Sequence, residues 1–384
     1  MGILALSHAD RARFEEATRF VLGQVDKGLP RYVDHFPAPA SEGLRYAAIP
    51  NEDWTGSFWT GMVWLAYEVT GDERYRAAAE SQLPSYQRRV EERIAIDTHD
   101  LGFLYSLSAV AAYRITGNEE AKRFALLAAD LLAQRYFPEA EIIQAWGDLG
   151  DPEQRGRMII DCLMNLPLLY WASEVTGDNR YASMARRHAQ QSANYLVRAD
   201  DTTYHTYYMD PRTGDPRYGN THQGYADDSC WARGQAWGIY GFMLSYAYTE
   251  DEKFIRTAKR LADYFLTRLP EDGIVYWDLI FMDGDEQERD SSAAAIAVCG
   301  LLELAKRLPD ADPDKARYAN AAAAMLTALT DRYATKGHPD ADGLLLHGVY
   351  NKPRGWGIDE STIWGDYFYF EALVRLRMDW RMYW

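Results

Sequence analysis

The chain has 384 residues, 47% of them apolar and 14% aromatic, with 27 Tyr, 12 Trp and a net charge of −16. So acidic a balance, with no basic stripe, argues against a nucleic-acid partner. No basic amphipathic helix and no run near about 20 apolar residues argue against a membrane partner.

Cys162, Cys230 and Cys299 are far apart and odd in number, so neither a metal site nor a disulfide framework is expected, and a reducing, cytoplasmic compartment fits. Residues 1–7 carry an apolar patch too short for a signal segment, and position 6 lacks the Ser or Thr that N-myristoylation needs.

An amphipathic helix is expected at about 8–27. Six segments that are apolar nearly all round then follow, at 54–69, 100–115, 161–175, 231–248, 291–307 and 361–376. Such helices are buried on every side. The helices after them are amphipathic, as in Arg180-Tyr181-Ala182-Ser183-Met184-Ala185-Arg186-Arg187-His188-Ala189. One turn recurs between the two kinds: Val69-Thr70-Gly71-Asp72, Ile115-Thr116-Gly117-Asn118 and Val175-Thr176-Gly177-Asp178, with Tyr248-Thr249-Glu250-Asp251 as a degenerate copy. Glycine takes the left-handed position after a helix, and the Asp or Asn caps the next one. Six inner and six outer helices in nested rings make an all-α (α/α)6 barrel, one domain over 1–384. Every inner helix then starts at the same rim. The long segments 30–52, 137–158, 198–229, 270–289 and 336–359 precede inner helices and would wall a cleft there, with short strands at 202–210 and 274–280.

An aspartate stands at each inner-helix opening: Asp53, Asp100, Asp161, Asp228, Asp290 and Asp359. Aspartate is a favoured helix cap, and Asp290 before Ser291-Ser292 reads as one. Asp161 lies in the apolar stretch from Met158 to Leu169. Burial there would raise its pKa and suit a general acid, while the helix N-terminus would favour the carboxylate, so the net shift stays open. Asp100 follows Thr98 and His99 in a more polar setting and is expected to stay ionised more easily. Two carboxyls in unlike environments are the usual sign of acid/base work.

Arg233 lies between Trp231 and Trp237 at the start of a buried helix. It needs an anion, either one of the many aspartates or a ligand. His205 and Gln223 in the preceding loop are either satisfied loop residues or sugar contacts. Trp54 and Trp146 offer flat faces for a pyranose, although large helical cores use such residues too. The acidic run 283–288 does not match a calcium-loop spacing, and zinc, phosphate-loop and nucleophile-elbow motifs are absent, so no metal or cofactor is expected.

Taken together, Asp53-Trp54-Thr55-Gly56-Ser57-Phe58-Trp59, His99-Asp100-Leu101-Gly102-Phe103-Leu104-Tyr105-Ser106, Ile143-Gln144-Ala145-Trp146-Gly147, Ile160-Asp161-Cys162-Leu163-Met164-Asn165, Thr221-His222-Gln223-Gly224, Trp231-Ala232-Arg233-Gly234-Gln235-Ala236-Trp237-Gly238 and Thr362-Ile363-Trp364-Gly365-Asp366 resemble glycoside hydrolase family 88, the unsaturated glucuronyl hydrolases. The resemblance spans nearly the whole chain and implies the same barrel. It also implies an enzyme that hydrates the C4=C5 vinyl ether of a Δ4,5-unsaturated uronic acid left by polysaccharide lyases. The resulting hemiketal collapses and releases the neighbouring sugar.

By that resemblance Asp161 is the general acid/base and Asp100 assists by hydrogen bonding the sugar, and His99 is a further substrate-binding candidate. His205, Gln223 and Arg233 bind polar groups, and Trp54, Trp146, Trp231 and Trp237 shape the pocket. The implied ligands are unsaturated uronic-acid disaccharides or short oligosaccharides, with a lyase and a transporter upstream and the oligomeric state left open. Relatives that favour sulfated fragments carry a Ser- and Lys-containing loop. Here the loop reads His347-Gly348-Val349-Tyr350-Asn351-Lys352-Pro353-Arg354-Gly355, and Lys352 and Arg354 are candidates to meet an anion on the next sugar. The rival readings are an unsaturated rhamnogalacturonyl hydrolase, a sugar epimerase using inner-helix histidines (His99 is the candidate so placed) and a non-enzymatic helical scaffold.

Overall fold

The Thr-Gly-Asp/Asn turns form as their residue types dictate in the computed structural model, which describes residues 7–384. Gly71, Gly117 and Gly177 end helices at left-handed φ values of 69°, 71° and 76°. Asp72, Asn118 and Asp178 then accept the backbone N–H of Arg74, Ala121 and Arg180, capping the next helix. In the degenerate copy Glu250 itself adopts φ 53°, and Asp251 caps by accepting from Lys253 N–H.

Among the described residues the inner segments are Gly56–Thr70, 101–116, 160–176, Ala232–Thr249, Ser291–Arg307 and Ile363–Arg377. The outer ones are His8–Gly28, Glu73–Glu91, Glu119–Ala133, Asn179–Gln191, Glu252–Thr267 and Pro313–Ala328. Burial separates the two sets. Every residue from 291 to 305 is buried. Asn179–Gln191, by contrast, buries one stripe of Tyr181, Ala185, His188 and Ala189. Ser291–Arg307 packs on both Ala232–Thr249 and Ile363–Arg377, and the last of these returns to Gly56–Thr70, so the inner ring closes. At its centre Trp237 meets Phe103 and Phe368 at 5.4 Å between ring centroids.

Two inner segments depart from uniform α-helix. Segment 101–116 contains a π turn over Ser106–Val110, and 160–176 opens with a 3-10 turn over Ile160–Met164 before Pro167–Thr176. Only Asp290 of the six aspartates caps its helix, accepting from Ser292 and Ala293 N–H. Asp53 instead folds back on Thr55, Asp359 meets His347 at 2.6 Å, and Asp228 is exposed ahead of a helix whose cap position is Trp231. Asp100 and Asp161 make no capping bond.

The rim carries short antiparallel strands. Arg157–Ile159, Thr206–Met209 and Pro216–Asn220 form one sheet, and Gly348–Asn351 pairs with Trp356–Glu360. The strand expected over 202–210 is therefore confined to Thr206–Met209. The expected strand at 274–280 does not form. Isolated bridges at Tyr276 and Asp278 take its place, and the buried Asp278 carboxylate gathers the N–H groups of Tyr225, Cys230 and Ile280 and the Ser229 hydroxyl. Side-chain acceptors satisfy the loop where a ladder would have. Residues 1–6, most of the N-terminal patch read above, lie outside the described residues. No described helix is long and apolar enough to cross a membrane.

Candidate active site

Three local devices bring the candidate residues to one rim. The first is Gly102. A Cβ there would lie 2.2 Å from Asn165 Cα and 2.3 Å from its carbonyl oxygen, so only glycine lets the two inner segments touch. Asn165 locks the contact: its Oδ1 accepts Phe103 N–H at 2.6 Å, and its Nδ2 donates to the Asp161 carbonyl at 3.3 Å. The second is the three-stranded sheet. Its Ile159–Thr206 pairing and the bond from Ile160 N–H to the His205 carbonyl (3.1 Å) set His205 beside Asp161.

The third is Arg233, 1% exposed. Its guanidinium donates to Asp290 Oδ2 at 3.1 Å, to the carbonyls of Val349 and Tyr350, and to Gln223 Oε1 at 2.7 Å. It lies over Trp231 and Trp364. Of the two readings of Arg233, the aspartate pairing is the one formed. The residue pins the hairpin Gly348–Glu360 and orients Gln223.

His99, Asp100 and Asp161 make a tight cluster. His99 Nε2 lies 3.4 Å from Asp100 Oδ1 and 3.3 Å from Asp161 Oδ1. One ligand-type atom from each residue falls within 4.8 Å of the other two. Burial works against a charged His99, but Asp100, the Cys162 thiol and Asp161 push its pKa well above the usual value. Burial likewise raises Asp100, against the pull of His99. Asp161 moves the other way: burial alone would raise it, yet His99 overrides burial, with help from Arg233, and lowers it. Asp100, expected to ionise more easily, is thus the carboxyl that is raised, and Asp161, whose net shift the sequence leaves open, is the one that is lowered, because the adjacent imidazole outweighs the apolar flanks that the sequence displays. Burial drives His205 down to about 3, so its ring is neutral. Its Nδ1 accepts His222 N–H at 2.9 Å, which leaves the proton on Nε2, a donor without a partner among the described residues.

A cavity of about 470 Å³ opens over this cluster, within the rough 300–1,000 Å³ range of small-molecule clefts. Trp54, Asp100, Trp146, Asp161, Gln223 and Arg354 line it. Trp54 donates from Nε1 to the Tyr350 hydroxyl at 3.1 Å and stacks on Trp364. His99, His205, Trp231 and Arg233 are buried just behind the wall. Trp237 is buried in the barrel centre, where Phe103 and Phe368 cover it, so it shapes the floor from below and offers no stacking face. Lys352 is turned away, paired with Glu288, bonded to Gln287 Oε1 at 3.1 Å and lying over Trp277. Arg354 is exposed at the cavity edge with its guanidinium 5.0 Å from the Trp356 ring.

Sequence reading passed over Tyr350, Trp356 and His222, which also line the cavity. His222 stood in a quoted motif and Tyr350 in a quoted loop, but the bond from His222 N–H to His205 Nδ1 and the hairpin that carries Tyr350 and Trp356 became visible only in three dimensions.

A profile of Glycosyl Hydrolase Family 88 matches residues 31–372. The chain belongs to Glycosyl Hydrolase Family 88. It is 51% identical over 369 residues to the unsaturated chondroitin disaccharide hydrolase of Streptococcus pyogenes serotype M1, covering 96% of this chain and 92% of that one. It is 47% identical over 371 residues to the unsaturated glucuronyl hydrolase of Bacillus sp. (strain GL1), covering 97% and 98%. The crystal structure of the unsaturated glucuronyl hydrolase from Streptococcus agalactiae superposes with a TM-score of 0.95 at 47% identity over 97% of this chain and 94% of that one. These Family 88 relatives share the α/α barrel and establish the chain as a glycoside hydrolase.

Proposed function

We propose that this Family 88 enzyme releases Δ4,5-unsaturated glucuronic acid from the non-reducing end of lyase-generated disaccharides and short oligosaccharides by hydrating the C4=C5 vinyl ether. The observation that carries the reading is the carboxyl pair. An inverting glycosidase keeps its two carboxyls roughly 6.5–9.5 Å apart so that a water fits opposite the bond, and a retaining one about 5–5.5 Å apart on either side of it. Here both carboxyls converge on one buried imidazole, each with an oxygen 3.3–3.4 Å from Nε2. A carboxyl pair sharing one imidazole suits proton delivery and water activation at one planar alkene.

In this reading Asp161 exchanges protons with C4 and with the water that adds at C5. Asp100 hydrogen-bonds the sugar. Neutral His205, through Nε2–H, and Gln223 meet hydroxyl or carboxylate oxygens. Trp54 and Trp146 flank the ring, and the nearby carboxylate stabilises the oxocarbenium-like centre at C5. Arg354 faces the second sugar. Lys352, engaged with Glu288, takes no part. A cytoplasmic location is part of the proposal; the unpaired, buried cysteines fit a reducing compartment.

The test is loss of the alkene ultraviolet absorbance with unsaturated chondroitin and hyaluronan disaccharides, run beside rhamnogalacturonan lyase products. Turnover of the first set supports the reading. Turnover of the pectin products alone replaces it with the rhamnogalacturonyl activity, and no turnover by folded protein rejects both.

A further inference from the structure

The reaction leaves a question about protons. Asp161 must deliver one to C4, yet its carboxyl is the one its surroundings keep ionised. His99 is the buried ionisable group of the cluster with no task so far. Its side chain is 1% exposed and takes no part in the cavity lining, whereas Asp161 does. One atom, Nε2, sits 3.3 Å from Asp161 Oδ1, and that oxygen has no aligned hydrogen bond among the described residues. Asp100 Oδ1 lies 3.4 Å from the same atom, and its Oδ2 accepts from the Thr98 hydroxyl at 2.7 Å.

The remaining groups that face the ring are few. The Cys162 thiol lies against it. His188, on the outer helix Asn179–Gln191, is driven down to about 3 by burial and then by His99, and its Nδ1 accepts Ile143 N–H. Arg135 stands further out, bonded to the carbonyls of Gln144 and Gly147. Two carboxyls and a thiol thus surround a ring whose other ionisable neighbours are a neutral imidazole and an arginine held by carbonyls.

We propose that His99 is a positioning residue that stores the proton for Asp161: Nε2–H passes it to Asp161 Oδ1, and Asp161 passes its proton to C4 of the alkene. The assignment rests on the Family 88 reading above. The C4=C5 electron pair forms the new C4–H bond, and C5 is left cationic, sharing its charge with the ring oxygen. Water adds at C5. The proton it sheds goes to the Asp161 carboxylate and on to His99 Nε2, so the cycle consumes one water and restores the imidazolium. The device gives a buried carboxylate two roles: base in the resting state, and acid for the moment in which the alkene is attacked.

His99→Gln keeps a neutral donor of similar reach and removes the stored proton. It is expected to lower kcat on an unsaturated chondroitin disaccharide by about 100-fold with KM changed less than about threefold. Its pH–rate profile should also move. In the wild type, activity falls as pH rises through the ionisation of His99. In the variant the proton must come from Asp161 itself, so the basic limb shifts to lower pH by more than about one unit. Wild-type kcat and profile in the variant would overturn the proposal and leave Asp100 as the proton source. A uniformly lowered profile with an unmoved limb, or a loss confined to KM, would overturn it in favour of a packing or binding role.

Ring charge is read separately, by 15N NMR of histidine-labelled wild type, with the His99 signal identified by its response to Asp161→Asn. Both ring nitrogens protonated at pH 7 is the expected result, and a neutral ring refutes the store whatever the variant does. Because this readout needs no substrate, a failure of the substrate assignment is seen separately, as absent turnover by wild type.

Discussion

Gly102→Ala tests whether helix contact places the chemistry. A Cβ at 102 would stand 2.2 Å from Asn165 Cα, whereas an ordinary contact begins near 3.4 Å. The obstacle is backbone, so no side-chain rotation relieves it, and the two inner segments must separate by about 1.2 Å. That shift falls on the turn that carries Asp161 and on the bond from Phe103 N–H to Asn165 Oδ1. A misplacement of about 1 Å at a reacting group costs about 100-fold in rate, and overpacking of this kind costs about 1–3 kcal/mol in stability. Steady-state kinetics on an unsaturated disaccharide and urea unfolding measure the two effects. Gly117→Ala serves as control: its φ is 71° and no neighbour lies within 4 Å, so it should lose about 1 kcal/mol of stability and no activity. If Gly102→Ala kept more than half of wild-type kcat, the close approach would not be what positions the carboxyl pair.

Arg233→Met leaves Asp290 buried without its cation and should cost about 3–5 kcal/mol, while adding Asp290→Asn should recover part of that; a loss of activity at unchanged stability would instead make Arg233 a substrate ligand. Asp366, buried, is pushed up to about 7 by burial against the opposing bonds from Leu344 N–H, the Tyr46 hydroxyl and Leu345 N–H. Between about pH 4 and 7 the unfolded chain releases a proton that the folded chain keeps, so stability falls as pH rises through that window, by about 4 kcal/mol at most, and then levels off. Asp366→Asn should flatten the slope, and urea midpoints at pH 4, 6 and 8 that run parallel to wild type would contradict this. Lys352→Ala should cost under about 1 kcal/mol and leave the rate ratio of sulfated to unsulfated disaccharide unchanged, whereas Arg354→Ala should lower that ratio; equal effects on the ratio would refute the division.

The barrel was legible because its signals are local and periodic. The recurring turn shows at Gly71, Gly117 and Gly177, and wholly apolar segments separate from one-faced ones by spacing alone. Cavity residues that sit on helix starts, Asp100 and Asp161 among them, follow from that register. Charge did not follow. The apolar neighbours of Asp161 pointed to a raised pKa, but the deciding group, His99, is sixty-two residues away in sequence and meets it only across the helix contact at Gly102. Lys352 and Trp237 fell out of the cavity for a related reason. The partners that claim them, Glu288 for one and Phe103 and Phe368 for the other, come from distant segments. The strand expected near 274–280 lost to side-chain acceptors on Asp278, a competition that alternation alone does not reveal.

In the proposed reaction the enzyme adds water across C4=C5 and does not cleave the glycosidic bond directly. Turnover of an unsaturated chondroitin disaccharide in D2O, followed by proton and deuterium NMR, reads this in one experiment. The released uronic acid is expected to have lost its alkene and to carry one deuterium at C4, and Asp161→Asn to form no such product. A released sugar that keeps its C4=C5 bond with no deuterium at C4 would refute hydration and make this a conventional glycosidase.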